Sequence, residues 1–367
     1  MPFRRMLFSS YAANLGGLES SIHSRMKGLR LLDIESEKHF FKSGVAINSF
    51  DDFRTHVVLE PSRFAAIVGS GGYDLISLIN TAYFLKTLVA SDYRGKVIYE
   101  VRGVINELAK YAPQLTPDTI HAVVVPSKYV ANYVNQTLKQ KEIPICVVPN
   151  PTDTDLFHLI DHPEPDLIPW SKPDRPTILW VGRLDPNKNW PEMLMIAKQL
   201  LQEGQNLNFL FVADTSVTTS HVDDFQRAVG ACHLQSHVDL LSCVPHSLMP
   251  HVYNAVAQSG GCTISTSISE GLQNSLMEAM ACGCPVVSTS AGGNPEMVLP
   301  GETGLLYPQG EIGTAVACVK QTLHDSRYRL RTINNGLARI QQYHTPKSHA
   351  ENFLKAVTDP TSYSVNF

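Results

Sequence analysis

Short apolar runs alternate with longer amphipathic stretches along the whole chain, and this alternation restricts the fold more than any other feature. In the first half, VVLE (57–60), AAIVG (65–69), KVIYEV (96–101), AVVVP (122–126) and ICVVP (145–149) read as strands buried on both faces. Between them, LISLINTAYFLKTLVAS (75–91) and SKYVANYVNQTLKQ (127–140) read as helices. The second half repeats the scheme. Its strand candidates are TILWVG, LNFLFVA, VDLLS, CTIST and PVVST, and its helix candidates WPEMLMIAKQLLQEG, HSLMPHVYNAVAQ and SLMEAMACG. Alternation of this kind predicts parallel sheets covered on both sides, hence a doubly wound α/β fold formed twice.

Between the halves lies DHPEPDLIPWSKPDRP, residues 161–176, with five prolines among acidic residues, which reads as an exposed linker. The expected domains are 1–165 and 173–345. A last helix at about 346–367 is a candidate to pack back on the first domain. With 367 residues, 43% hydrophobic and 17% charged, the chain is long and apolar enough for two folded cores. No apolar run approaches the ~20 residues of a membrane-crossing helix. A formal charge of −4 excludes a nucleic-acid partner as the expectation. The N-terminal apolar run before Ser9 is too short for a signal-peptide core, so a cytoplasmic location is expected. Seven cysteines, six of them beyond residue 230, give neither a disulfide framework nor zinc-finger spacing.

Three segments carry chemistry. In SISEGLQNSLMEAMACGCPVVSTSAGGNPEMV (267–298), Glu270 and Glu278 stand eight apart on a strand, turn and helix. Gly271 permits close approach, and Asn274 and Ser275 suit the start of the helix. A helix N-terminus of this form can receive a diphosphate, with the two carboxylates placed to accept hydrogen bonds from sugar hydroxyls. In ILWVGRLDPNKNW (178–190), Arg183 and Lys188 follow a buried strand, at the edge where doubly wound sheets gather ligands. An arginine fork and a mobile lysine charge there suit a diphosphate leaving group. In NLGGLESS (14–21), Gly16 and Gly17 form a turn ahead of a helix, a shape open to anions.

On these segments, with VPSKYV and VVPNPTDTDLF, the chain resembles the retaining family 4 glycosyltransferases of GT-B fold. The resemblance implies two facing Rossmann-like domains with a cleft between them. It implies that Arg183 and Lys188 hold the donor diphosphate, that Glu278 accepts from the ribose, and that Glu270 lies by the donor sugar. Gly271, Leu272, Asn274, Ser275 and Leu276 would line sugar and phosphates, and Gly17 would face the phosphate from the first domain. The implied reaction moves a hexosyl or N-acetylhexosaminyl group from a nucleotide-diphospho-sugar to a hydroxyl, with retention and without a metal cofactor. The acceptor would be carbohydrate, lipid-linked or a small molecule. A nucleotide-sugar epimerase or hydrolase of the same fold, and a non-catalytic partner protein, are the rival readings.

The chain departs from the family at several positions. Asn189 follows Lys188 where glycine is usual. Asn150-Pro151-Thr152-Asp153 replaces Asn-Gly-Val-Asp, and Ala213-Asp214-Thr215-Ser216 replaces a glycine-rich turn. Arg102 stands where many members carry a sugar-contacting histidine. With Gly16 it is a candidate contact to sugar or acceptor, and pairing with Glu100 or Glu107 is the other reading. Asp153 and Asp155 form a D-x-D that lies far in sequence from every phosphate element and is set aside as a metal site. In ESSIHSRMKGLRLL, Ile22, Met26 and Leu29 predict an amphipathic helix with Arg25, Lys27 and Arg30 as a solvated edge. A patch for anionic lipid, with peripheral contact at the inner membrane face, is the sharper alternative.

Overall fold

A computed structural model of the chain describes residues 3–12, 16–44, 52–139, 141–164, 175–215 and 219–364. The chain divides into two compact units, residues 1–153 with 343–367, and residues 154–342. The division at Asp153/Thr154 falls ahead of the proline-rich stretch, of which 165–174 lie outside the described residues.

The first unit holds β1 (Arg5–Ala12), α1 (Gly17–Arg30), β2 (Glu35–Lys42), β3 (Thr55–Val57), α2 (Pro61–Gly71), β4 (Leu75–Ile79), α3 (Leu85–Ala90), β5 (Lys96–Glu100), α4 (Glu107–Tyr111), β6 (Ala122–Val125), α5 (Lys128–Thr137) and β7 (Ile145–Val147). These strands form one sheet in the order β3-β2-β1-β4-β5-β6-β7, and all its pairings are parallel. Side chains alternate between two cores: Leu7, Ile76, Leu78, Val123 and Val125 face one, and Met6, Phe8, Leu75, Ile79, Ala122 and Val124 the other. That is the two-unit repeat of a pleated strand buried on both faces.

The second unit repeats the plan with β8 (Thr177–Val181), α6 (Trp190–Gln202), β9 (Asn208–Ala213), α7 (Thr219–Ala231), β10 (Val238–Ser242), α8 (Met249–Gln258), β11 (Cys262–Ser265), α9 (Asn274–Ala281), β12 (Val286–Thr289), β13 (Leu305–Tyr307), α10 (Ile312–His324) and α11 (Ser326–Tyr343). Its parallel sheet runs β10-β9-β8-β11-β12-β13. Ile178, Trp180, Phe209 and Phe211 fill one core, and Leu179, Leu210 and Val212 the other. In both units the strand order reverses once, between β1 and β4 and between β8 and β11.

Three sequence expectations are corrected. VVLE is not a strand buried on both faces: only Val57 belongs to β3, and Val57 and Leu59 are exposed. AAIVG lies inside α2, where Pro61 occupies the first turn and only Phe64 and Val68 of the helix are buried. That is a helical interval, four residues apart, rather than strand alternation. The stretch 75–91 is not one helix. Its apolar LISLI is the fully buried central strand β4, and only Leu85–Ala90 is helical. Composition could not separate a short apolar run in a strand from one in a helix.

After the second unit the chain returns through α12 (Pro346–Thr358), which packs along α1 in the first unit. Gly28 makes the approach possible, because a β-carbon there would lie 1.9 Å from the Pro346 carbonyl oxygen. The basic edge expected on α1 is also corrected. Arg25 is fully buried, where its Nη2 donates to Glu100 at 3.0 Å and its Nε to His349 at 2.9 Å. Lys27 pairs with Asp153 at 2.7 Å, and Arg30 reaches the Asp52 carbonyl. Arg25 and Lys27 are thus spent on internal partners, while Arg30 stays exposed as expected. Among the described residues no helix is long and apolar enough to cross a membrane.

Gly28→Ala should therefore cost about 1–3 kcal/mol, as overpacked cores do. Urea unfolding followed by circular dichroism measures it, and an unchanged midpoint would show that α12 is not held this way.

Candidate functional site

The reversal between β8 and β11 brings two of the sequence elements together in the second unit. Gly182–Lys188 leaves the carboxyl end of β8, and residues 266–273 leave that of β11. The two loops are tied by side-chain and backbone hydrogen bonds. The Thr266 hydroxyl donates to the Lys188 carbonyl at 2.8 Å and accepts from the Trp180 indole at 2.9 Å. Ile268 N–H donates to the Asn187 carbonyl at 2.8 Å, and Asn187 Nδ2 returns a bond to the Ser269 carbonyl at 3.0 Å.

The side chains converge at the same place. Lys188 Nζ lies 2.6 Å from Glu270 Oε1, with the two side chains only 17% and 13% exposed. This pair is mostly shielded from water, which strengthens its attraction over that of a surface pair. Arg183 is different. It points outward, 67% exposed, and its Nε donates to Asp185 at 2.7 Å. Asp185 also accepts from Lys188 N–H at 2.9 Å, closing the turn.

Asn189, which stands in place of the usual glycine, has φ +51. The position requires the left-handed region, and asparagine is among the few residues that visit it at modest cost. Its side chain also donates to Glu192 at 2.6 Å in the first turn of α6. The departure is thus conservative in conformation.

The loop carrying Glu270 is gripped from its other side by Ala291-Gly292-Gly293. Gly293 N–H donates to the Glu270 carbonyl at 2.9 Å, and a β-carbon on Gly292 (φ +59) would lie 2.0 Å from that oxygen. Neither glycine was singled out individually in the sequence, although the GGNPEMV tail pointed to the segment.

Helix α9 opens at Asn274, so the cap position belongs to Gln273, not to Asn274 or Ser275. Gln273 makes no capping bond. It is buried, accepts from Ser265 Oγ at 2.6 Å and from Asn294 at 3.3 Å, and donates to Ser275 Oγ at 3.0 Å. The side chains of Leu272 and Leu276 are packed in the core, so only their backbone groups can face a ligand. The first-turn N–H groups of α9 have no helical carbonyl to receive them, which favours an anion at that end.

Glu278 lies one turn into α9 with its side chain 10% exposed. Tyr253 donates to its Oε2 at 3.2 Å, and His246 Nε2 meets Oε1 at 3.3 Å. Neither contact is visible in the sequence. They cross from α8 and the turn before it, a separation no local spacing reveals.

In the first unit, Gly16 precedes α1 in extended backbone, and a β-carbon there would meet nothing within 4 Å. Packing among the described residues therefore does not demand glycine at 16. Gly17 is the first residue of α1. Arg102 pairs with Glu100 at 3.0 Å and not with Glu107. Its other terminal nitrogen donates to Ser21 at 2.8 Å and to Asn150. Burial lowers the Arg102 pKa to about 10 despite the Glu100 carboxylate. Burial would raise that carboxyl, yet Arg25 and Arg102 hold it below its ordinary value.

Asp153 is taken by Lys27, and Asp155 is part of the second unit. Among the described residues no three His, Cys, Asp or Glu side chains converge on a point that could hold a metal ion.

Residues 168–339 match the model of the family described as glycosyl transferases group 1. Among curated proteins, the chain is 23% identical over 236 residues to 2-deoxystreptamine N-acetyl-D-glucosaminyltransferase of Niallia circulans, covering 64% of this chain and 55% of that one. It is 28% identical over 180 residues to the GPI3 subunit of a Saccharomyces cerevisiae phosphatidylinositol N-acetylglucosaminyltransferase, covering 49% and 38%. The chain thus spans about half the length, or less, of these relatives. Among solved structures, a glycosyltransferase from Rickettsia africae superposes with a TM-score of 0.80 at 15% identity, covering 98% of this chain and all of that one. Anabaena HepE, solved with UDP and glucose, gives 0.79 at 17% identity, covering 97% and 100%. At such identities the likeness is one of fold: two Rossmann-like units, the GT-B fold.

Asn189→Ala should lower stability by about 1–2 kcal/mol, because alanine is strained in the left-handed region and the hydrogen bond to Glu192 is lost. Asn189→Gly should cost less. Denaturation midpoints of both variants check the order, and equal losses would mean that backbone conformation is not what asparagine supplies.

Proposed function

We propose, from the membership of residues 168–339 in the glycosyl transferases group 1 family, that the protein transfers a hexosyl or N-acetylhexosaminyl group from a nucleotide-diphospho-sugar to a hydroxyl acceptor, with retention. The observation that carries this reading is the convergence of Lys188 and Glu270 at 2.6 Å beside the start of α9, at the edge where strand order reverses. Cation, carboxylate and helix N-terminus are the groups a diphospho-sugar needs side by side.

In this reading the diphosphate lies against the first turn of α9 and draws Lys188 toward it. Glu270, released from its ion pair, accepts from hydroxyls of the donor sugar. Arg183 is exposed and, among the described residues, its side chain is tethered to Asp185 through Nε, so its terminal nitrogens can swing onto the phosphates. Glu278 takes the ribose hydroxyls. Within the first unit, the turn at Gly16, where a β-carbon would meet nothing within 4 Å among the described residues, leads into α1 at Gly17 and is that unit's own candidate anion contact. As the sugar–phosphate bond breaks, charge grows on the departing diphosphate, and preorganised cations and N–H groups stabilise it. No metal is required for that. The acceptor hydroxyl adds on the face the phosphate leaves and passes its proton to the leaving group. The names of the relatives support the donor class: a mannosyltransferase of Mycolicibacterium smegmatis is described as GDP-mannose-dependent, and HepE was solved with UDP-glucose. The acceptor is a carbohydrate, a lipid-linked sugar or a small molecule.

A thermal-shift screen of UDP, GDP, ADP and their sugars tests the donor class. A true donor at 100 times its Kd should stabilise the fold by about 2.7 kcal/mol. No shift with any of them would overturn the reading.

Two further outcomes follow from the charges. Turnover should persist in EDTA, and complete loss restored by Mn²⁺ or Mg²⁺ would sink the metal-free mechanism. Lys188→Ala should lower turnover more than donor affinity, because the interaction strengthens as the leaving group gains charge. Arg183→Lys should also be poorly tolerated, a point charge being unable to replace the fork. Wild-type turnover at saturating donor in both variants would reduce these cations to docking groups.

A further inference from the structure

Glu278 does not stand alone on α9. Tyr253 donates its hydroxyl to Oε2 at 3.2 Å, and His246 Nε2 lies 3.3 Å from Oε1, so among the described residues each carboxylate oxygen has one side-chain partner. Tyr253 is fully buried on α8, and its hydroxyl has a single proton to give. Burial, reinforced by the Glu278 charge, keeps that phenol protonated far above the ordinary range. His246 sits in the short turn before α8, its side chain 21% exposed. The edge of Phe157, itself 1% exposed, meets the His246 ring at 5.0 Å and 69°.

A carboxylate has about four lone-pair positions. Two are taken here, one on each oxygen, which leaves one on each for an outside donor. Two acceptors on neighbouring oxygens fit the paired O–H groups of a vicinal cis-diol better than a single hydroxyl.

We propose that His246 and Tyr253 are positioning residues that hold the Glu278 carboxylate so that it selects a ribose diol, and hence ribonucleotide over deoxyribonucleotide donors. The inference rests on the reading of Glu278 as the ribose acceptor. Phe157 fixes the histidine ring, and the rigid phenol fixes the other oxygen. Loosening either partner lets the carboxylate rotate and lose one of its two bonds to the diol.

The test is calorimetry on the full chain. UDP, GDP and ADP identify the base that binds, and the 2′,3′-dideoxy form of the same diphosphate is then compared. Wild type should prefer the ribonucleotide by about tenfold or more. His246→Ala and Tyr253→Phe should each weaken ribonucleotide binding about 5- to 20-fold and leave the dideoxy form unchanged. His246→Gln, which retains an N–H donor, should recover part of the loss. An equal loss for both nucleotides would reduce the pair to packing and overturn the proposal, as would no loss for either. Glu278→Gln keeps the two failures apart. If it leaves ribonucleotide affinity intact, or if no nucleotide binds at all, the reading of Glu278 fails and the inference with it. If it weakens binding while the His246 and Tyr253 variants do not, only the inference fails. His246 lies in an exposed turn, so its variants remain informative even if Tyr253→Phe misfolds.

Discussion

The reversal of strand order between β8 and β11 is the constraint on which the second unit's chemistry depends. At a reversal, the connections from two neighbouring strands depart to opposite faces of the sheet and leave a crevice at the carboxyl edge. Here one connection carries Lys188 and the other Glu270, and parallel pairing of Ile178, Leu179 and Trp180 with Cys262, Thr263 and Ile264 fixes their separation. A slip of this register would move the two loops apart and turn each strand's core face outward. The ion pair is thus a consequence of sheet register as much as of charge.

Around that crevice, rigidity comes from backbone contacts and small residues. The Thr266, Asn187 and Ile268 bonds stitch one loop to the other, while Gly292 lets a third loop press on the Glu270 carbonyl. Buried polar side chains complete the frame: Gln273 joins Ser265, Ser275 and Asn294, and Asn294 donates to Ser288 at 2.9 Å. Such networks are costly when left incomplete, which makes each member's position strict. The Lys188–Glu270 pair thus rests on a scaffold with little freedom to relax.

How much of this was legible in the sequence follows from the range of each interaction. The five strands read in the second half are β8 to β12, because runs such as TILWVG and LNFLFVA are buried on both faces and flanked by turns. β2 is not legible as a strand, since ESEKHFF looks polar: Glu37 is buried among Arg5, His56 and Tyr73, partners far along the chain. β4 was hidden inside an apolar stretch that ran on into α3. At the site, the spacing of Glu270 and Glu278 and the Arg183–Lys188 turn were visible as local pattern. Their partners Tyr253, His246 and Gly292 were not, because each meets its carboxylate or carbonyl only after the sheet is assembled.

Arg102 shows the same limit in the first unit. From the sequence its guanidinium could equally serve a ligand or a neighbouring carboxylate. The fold decides, because Glu100 is wholly buried at the end of β5 and must be neutralised where it stands. Arg25 grips it with both terminal nitrogens and Arg102 with one, and the Ser77 hydroxyl donates at 2.6 Å. His349 accepts from Arg25 through Nε2 and donates from Nδ1 to the Pro149 carbonyl, so it serves as a neutral ring. Its pKa lies well below the ordinary value, through burial first and the two arginines second. The same guanidinium of Arg102 ties Ser21 on α1 to Asn150, so the charge that satisfies Glu100 also fixes the loop leading out of the unit. An arginine with that many fixed partners is a structural strut of this unit.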